Sequence, residues 1–215
     1  MKRSVIIRVC AVLLMSVMTL AMLGGCVTMG ERKPIATITF SNGTVVRARL
    51  YPNKAPNTVA NFISLANSGF YDGSPVHRIV EYSIVQMGKP ADSDEVDAGY
   101  YIKGEFPNNG FSKNDMIHEE GTLSMARTVS SSGDEKDYYD TASCQFFICV
   151  DRETTLDGDY AAFGKIISGY KDFEKISKMD VDDNYAPRDE IYVESITVDT
   201  YGKDYGEPKT IEKDN

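Results

Sequence analysis

Two β-rich runs, Ile35 to Phe40 and Thr44 to Leu50, flank Ser41-Asn42-Gly43. An Asn-Gly turn between such runs is the strongest short-range signal for a hairpin. A chain that opens its domain this way is committed to a sheet, and its later apolar segments repeat the theme. Val76 to Val80, Gly121 to Ala126, Gln145 to Val150, Ala161 to Ile167 and Ile191 to Val198 are short runs separated by loops. Helical period is found in two stretches. Pro56-Asn57 opens one, with Val59, Phe62, Ile63 and Ala66 on one face and Gly69 closing it; Lys171 to Met179 gives the other, with Phe173 and Ile176 inward. Residues 89 to 118 are dense in Gly, Pro, Asn and Asp and read as loop, residues 127 to 141 as a polar excursion, and residues 201 to 215 as a polar tail with no core to offer. Many short strands and two helices over residues 35 to 200 suit a mainly β, closed antiparallel barrel capped by two helices, in one domain.

The stretch before the domain reads as a processing signal. Lys2, Arg3 and Arg8 make a basic start, Val9 to Met22 is apolar but too short for a membrane span, and Leu23-Gly24-Gly25-Cys26 follows. Those four residues resemble a bacterial lipobox, which implies cleavage after residue 25, lipid on the Cys26 thiol, a tether over 26 to 34, and a membrane-anchored domain on the extracytoplasmic side. An ordinary secretory signal with a chance cysteine is the alternative. Removing Lys2, Arg3 and Arg8 from the 23 basic residues leaves 20 against 32 acidic ones, a formal charge of −12. Nucleic acid and anionic headgroups repel such a surface, so the anchor must be covalent lipid, and stable anchoring takes two or more acyl chains. Cys144 and Cys149 lie five apart in a strand-like run, on opposite faces and roughly 16 Å apart. A disulfide needs Cα atoms within about 7 Å, so both read as small buried residues.

The informative polar residues lie within apolar runs. Arg78 sits in Val76-His77-Arg78-Ile79-Val80, Gln86 follows eight residues after it and then Gly88, and Ser143-Cys144-Gln145-Phe146-Phe147-Ile148 comes about sixty residues later. Together these segments resemble the cyclophilin family of peptidyl-prolyl isomerases, whose signature is Phe-His-Arg-x-[Ile/Val], then Gln-Gly-Gly, then Ser-Gln-Phe-Phe-Ile. The resemblance runs from about Ile35 to Val198. It implies a cyclophilin-like barrel, proline-containing polypeptide substrates, and a monomer that uses no metal and no cofactor.

The reaction explains the choice of residues. An X-Pro bond isomerises over a barrier of about 18–20 kcal/mol, set by amide resonance. Twisting the bond leaves a lone pair on the proline nitrogen, and a fixed donor aimed there binds the twisted state better than the planar one. A guanidinium supplies such donors in a rigid planar fork. By resemblance, Arg78 is the catalytic donor and Gln86 orients it or binds a substrate carbonyl. Ile84, Phe147 and Leu156 match the proline pocket, Ala126 and Arg127 the strand whose backbone pairs with substrate, Gln145 a further polar wall, and Tyr160 a position held by His or Tyr in relatives. The chain departs from the family at Glu81-Tyr82-Ser83, where Pro-Gly-Phe is usual, so Ser83 replaces an aromatic wall. It also has Gln86-Met87-Gly88 for Gln-Gly-Gly, Arg127 where Asn is common, and Thr155 where cyclosporin-sensitive members have Trp.

Other readings compete. Arg78 in an apolar strand also suits a structural ion pair, and His77, adjacent on a strand, points off Arg78's face and reads as structural. His77 and His118 are too few for a His-rich metal site, and no nucleophile motif supports a Ser-His-Asp triad. Asp180 to Asn184 begins like a calcium loop, yet Tyr185 stands where Gly is needed, so a solvated acidic loop is expected. As functions, a lipid-anchored isomerase leads, a proline-segment-binding chaperone or adaptor with little turnover comes second, and a surface adhesin or transport lipoprotein third.

Overall fold

The computed structural model describes residues 32–91, 94–130 and 133–213. The lipobox and Cys26 lie outside these residues.

The opening hairpin forms as its turn requires. Strand β1 (Ile35–Phe40) pairs antiparallel with β2 (Val45–Leu50), with Ile38 opposite Val46. Gly43 takes a left-handed φ of 83° and the Asn42 side chain accepts the Thr44 N–H, which tightens the turn. Six further strands complete the main sheet: β3 (Arg78–Val80), β4 (Ile84–Met87), β6 (Thr122–Met125), β7 (Phe146–Cys149), β8 (Ala162–Ser168) and β9 (Val193–Asp199). Among the described residues the sheet has eight strands in the order β3-β4-β7-β6-β8-β2-β1-β9. Bulges at Leu123/Ser124, Arg47/Ala48 and Thr39/Phe40 bend it.

The expected closed barrel needs one correction. The end strands β3 and β9 do not form a ladder with each other, and the curled sheet is joined through the segments before them. Pro75 bridges Tyr192, Val76 N–H bonds to the Ile191 carbonyl, and Gly73 N–H to the Val193 carbonyl. Proline has no N–H to give, so regular pairing cannot run through Pro75.

Inward-facing residues fill the curl by alternation: Ala36, Ile38 and Phe40 from β1, Val46, Ala48 and Leu50 from β2. Helix α1 (Pro56–Asn67) covers one opening, with Phe62 against Tyr71, Phe146 and Phe163 at ring separations of 5.0–5.6 Å. Helix α2 (Tyr170–Ile176) lays Phe173 against Phe40. Ala55 cannot cap α1 with its side chain. Buried Glu105 does so from the long loop instead, accepting the backbone N–H groups of Asn57 and Thr58 and the Thr58 hydroxyl.

The two polar segments are more ordered than their composition suggests. Within residues 89 to 118 there is a two-residue strand, β5 (Tyr101–Ile102), and a 3-10 turn at Pro107–Asn109. The tail expected to contribute nothing returns across the domain as β10 (Thr210–Ile211), pairing with β5, and Tyr205 packs against the core. Lys209 exchanges two hydrogen bonds with the Asn57 side chain at 2.7 and 3.0 Å.

Candidate active site

On β3, β4 and β7 one face belongs to the core and the other to the site. Ile79, Val85, Met87, Phe146 and Ile148 go inward, while Ile84, Phe147 and Cys149 form a second apolar cluster with Val80, Ala126, Leu156 and Tyr160. The pair Phe146/Phe147 thus divides between core and slot, as strand alternation dictates. Register sets the polar residues: Arg78 is opposite Gln86, Gln86 opposite Phe147, and Phe147 opposite Ser124.

Arg78, Ile84, Gln86, Ala126, Arg127, Phe147, Leu156 and Tyr160 line a single cavity of about 390 Å³. Ser83 and Thr155 line it too, at the two places where an aromatic residue was expected from the resemblance. Gln145 lies next door. It lines a smaller hollow of about 170 Å³ that shares Gln86, Ala126 and Arg127 with the first. A relay links the two: Arg78 Nη1 donates to Gln86 Oε1 at 3.4 Å, Gln86 Nε2 to Gln145 Oε1 at 2.9 Å, and Gln145 Nε2 to the Val96 carbonyl at 2.6 Å. The half-buried Arg78 therefore stands at an apolar slot with one donor tied and the rest of its fork available to a ligand, among the described residues.

Beneath the slot lies an arrangement that sequence reasoning missed. His118 is fully buried, stacked on Phe147 at 6.0 Å, with Nδ1 3.1 Å from Asp157 Oδ1 and Nε2 3.0 Å from Ser124 Oγ. Arg152 pairs with Asp157 and also donates to the His118 carbonyl. Ser, His and Asp are in line, but Ser124 and His118 have no exposed surface, so no substrate reaches them and the set acts as a brace for Phe147. Burial, the largest effect, pushes the His118 imidazole below its ordinary pKa although Asp157 pulls it up. At Asp157 burial opposes ionisation, and the Arg152 and His118 hydrogen bonds override it and hold the carboxyl below the usual range. The sequence signal was slight, a histidine between Met116-Ile117 and Glu119-Glu120.

His77 sits half-buried beside Arg78, and its Nδ1 finds no partner among the described residues. Burial first and Lys89 second lower its pKa to about 4, so the ring is neutral near pH 7. Cys144 and Cys149 are buried free thiols pushed up to about 12 by burial, which makes them inert packing residues. Asp182 in the acidic loop serves as a turn former, accepting the N–H groups of Asn184 and Ala186.

Arg127 has a role its sequence position did not reveal. Its side chain is only 3% exposed; Nη1 pairs with Glu135 at 2.6 Å, Nε donates to the Asp159 carbonyl, and the guanidinium lies 4.6 Å from the Tyr160 ring and 5.1 Å from Tyr139. The excursion is thereby folded back onto the site, with a 3-10 turn at Glu135–Tyr138.

Comparison with known proteins agrees with this geometry. Residues 35–198 match the family profile described as cyclophilin type peptidyl-prolyl cis-trans isomerase/CLD. The chain belongs to that family. Peptidyl-prolyl cis-trans isomerase B of Bacillus subtilis (strain 168) is 38% identical over 142 residues, covering 66% of this chain and 90% of that protein. The isomerase of Synechococcus elongatus is 37% identical over 130 residues, covering 60% and 78%. Among solved structures, a cyclophilin-type isomerase of Cryptosporidium parvum superposes with a TM-score of 0.65 at 24% identity, over 78% of this chain and 97% of that one. A second crystal structure of the same protein, in the presence of the dipeptide Ala-Pro, gives a TM-score of 0.64 at 25% identity, over 77% and 98%.

As a cyclophilin-type isomerase, the protein tolerates its change in the Gln-Gly-Gly motif for a steric reason. Met87 replaces the first glycine and points into the core, fully buried. Gly88 cannot change in the same way: at φ 97° an added Cβ would lie 2.8 Å from the Cys144 carbonyl oxygen.

Proposed function

We propose that this isomerase acts on X-Pro bonds of secreted or surface proteins, with Arg78 stabilising the twisted amide and lipid on Cys26 holding the domain on the outer side of the membrane. The observation that carries the mechanistic part is the half-buried Arg78 tied through Nη1 to Gln86 at the edge of the Phe147 slot. The proline ring enters the slot over Phe147, Ile84 and Leu156. The guanidinium then meets the nitrogen lone pair, which exists only once the bond has twisted, so its hydrogen bond is made in the transition state. A crystal structure of a relative in the presence of Ala-Pro supports proline as the bound residue.

Replacing Arg78 by Ala removes that donor. It should lower kcat/KM on the order of 10²-fold, as loss of a preorganised transition-state donor does, with circular dichroism unchanged. A variant that isomerises an Ala-Pro peptide at the wild-type rate would falsify the assignment. The second reading, a module that holds proline segments with little turnover, is favoured by Ser83 and Thr155 at the slot, and the wild-type rate separates the two. For the anchor, metabolic labelling with a fatty acid should mark the wild type and not Cys26→Ser; unlabelled wild-type protein means an ordinary signal peptide.

A further inference from the structure

We propose that residues 202–213 are a positioning strap for the active site, and that Lys213, acting through Asp97 and the Val96 carbonyl, fixes the polarity of the Gln145–Gln86–Arg78 relay. The inference rests on the isomerase reading and adds residues to it that lie outside the family match at 35–198.

The strap is docked at several points. Strand β10 pairs with β5, Lys209 is held by Asn57, and Lys213 Nζ reaches Asp97 Oδ2 at 2.7 Å while lying 5.4 Å from the Tyr101 ring. The Asp97 side chain is 11% exposed, and its Oδ1 accepts the Gly99 N–H at 2.8 Å. A carboxylate this well covered needs a counter-charge. Without Lys213 it would seek water, and the loop that carries Val96 would move outward with it.

Val96 matters because of what its carbonyl accepts. Gln145 must present Nε2 to that oxygen, which leaves Gln145 Oε1 for Gln86 Nε2, and Gln86 Oε1 for the Arg78 guanidinium. A side-chain amide has a donor end and an acceptor end, so fixing one end of this relay fixes every member. Arg78, which can only donate, also favours this polarity, but over a contact of 3.4 Å; with Val96 displaced, that long bond alone opposes a flip of either glutamine. A flipped Gln86 turns its NH₂ toward a group that can only donate, and Arg78 loses the contact that aims it. Lys213 touches neither substrate nor Arg78, and so is a positioning residue.

The test uses full-length protein and a double-mutant cycle. Lys213→Ala should lower kcat/KM by about three- to tenfold, within the range over which mutations in coupled networks change coupling between sites. The loss should fall mainly on kcat, since Arg78 acts on the twisted bond, and Lys213→Arg should restore most of it. Because Lys213 acts through Gln145, the double variant Lys213→Ala/Gln145→Ala should be no slower than Gln145→Ala alone. Raising salt should bring the wild type toward Lys213→Ala and leave that variant nearly unchanged. A Lys213→Ala protein with wild-type kcat, or one that loses only melting temperature, overturns the strap, as does strict additivity with Gln145→Ala. Turnover by the wild type is the control: its absence overturns the isomerase reading and the strap together, whereas an active wild type with additive variants overturns the strap alone.

Discussion

At the residue scale the slot lacks two aromatic residues that its family commonly has. Ser83 lines the cavity where a phenylalanine wall is usual, and the neighbouring Tyr82 does not close the gap: it is 66% exposed at the β3–β4 turn with φ 60°. Ser83→Phe should therefore add a face for the proline ring, worth up to about 1.5–3 kcal/mol if fully buried, and lower KM. Tyr82→Ala should leave the kinetics alone. If Ser83→Phe raises KM, the wall is already filled by something the ring displaces. Thr155 makes the second difference. It lacks the indole surface and N–H of cyclosporin-sensitive relatives, so cyclosporin should inhibit weakly, and Thr155→Trp should tighten it. Nanomolar inhibition of the wild type would show that Thr155 does not face this ligand.

At the scale of elements, strands and helices were legible because their signals are local. The Asn42-Gly43 turn, the alternation in β2 and the inward Phe62 and Phe173 each follow from a few neighbouring residues and stand where expected, although α2 ends at Ile176, three residues short of Met179. Arg78, Gln86 and Phe147 were legible through family resemblance, and the cross-strand register brings them together. What was not legible depends on partners far along the chain: Glu105 capping α1, His118 under Phe147, the strap on Asp97. The excursion at 127–141 is the clearest case. Its composition reads as loop, yet Arg127 holds it through Glu135 and three aromatic rings, among them Phe106 at 5.9 Å. If Arg127 contributed only backbone, Arg127→Ala would be nearly neutral. We expect instead a loss of about 2–3 kcal/mol, less than for a fully buried pair because Glu135 is partly solvated. Hydrogen exchange should rise over the excursion in that variant, and unchanged exchange would mean that the Arg127 side chain is not what holds it.

At the scale of the whole molecule, acidification sets two effects against each other. The chain carries a formal charge of −9, so protonating surface carboxylates relieves self-repulsion and favours the folded state. The buried imidazoles act the other way. His77 is held at about 4 in the folded protein against an ordinary 6.5, chiefly by burial, and His118 is lowered by the same cause. Below about pH 6.5 the unfolded chain binds a proton at each of these sites that the folded chain refuses, and stability falls as the unfolded state gains it. The His77 contribution is level above that pH, declines between about 6.5 and 4, and is level again once both states are protonated. Its full size is on the order of 2 kcal/mol after discounting for the part of the ring that solvent reaches. A single urea curve cannot isolate it, because the carboxylates titrate over part of the same range. The difference between two proteins can: His77→Gln keeps every carboxylate and removes one imidazole. Unfolding free energies at pH 7.5 and 4.5 should fall further on acidification for the wild type than for His77→Gln. Equal falls in both would mean that the folded state accepts the proton at His77 after all, through a partner for Nδ1.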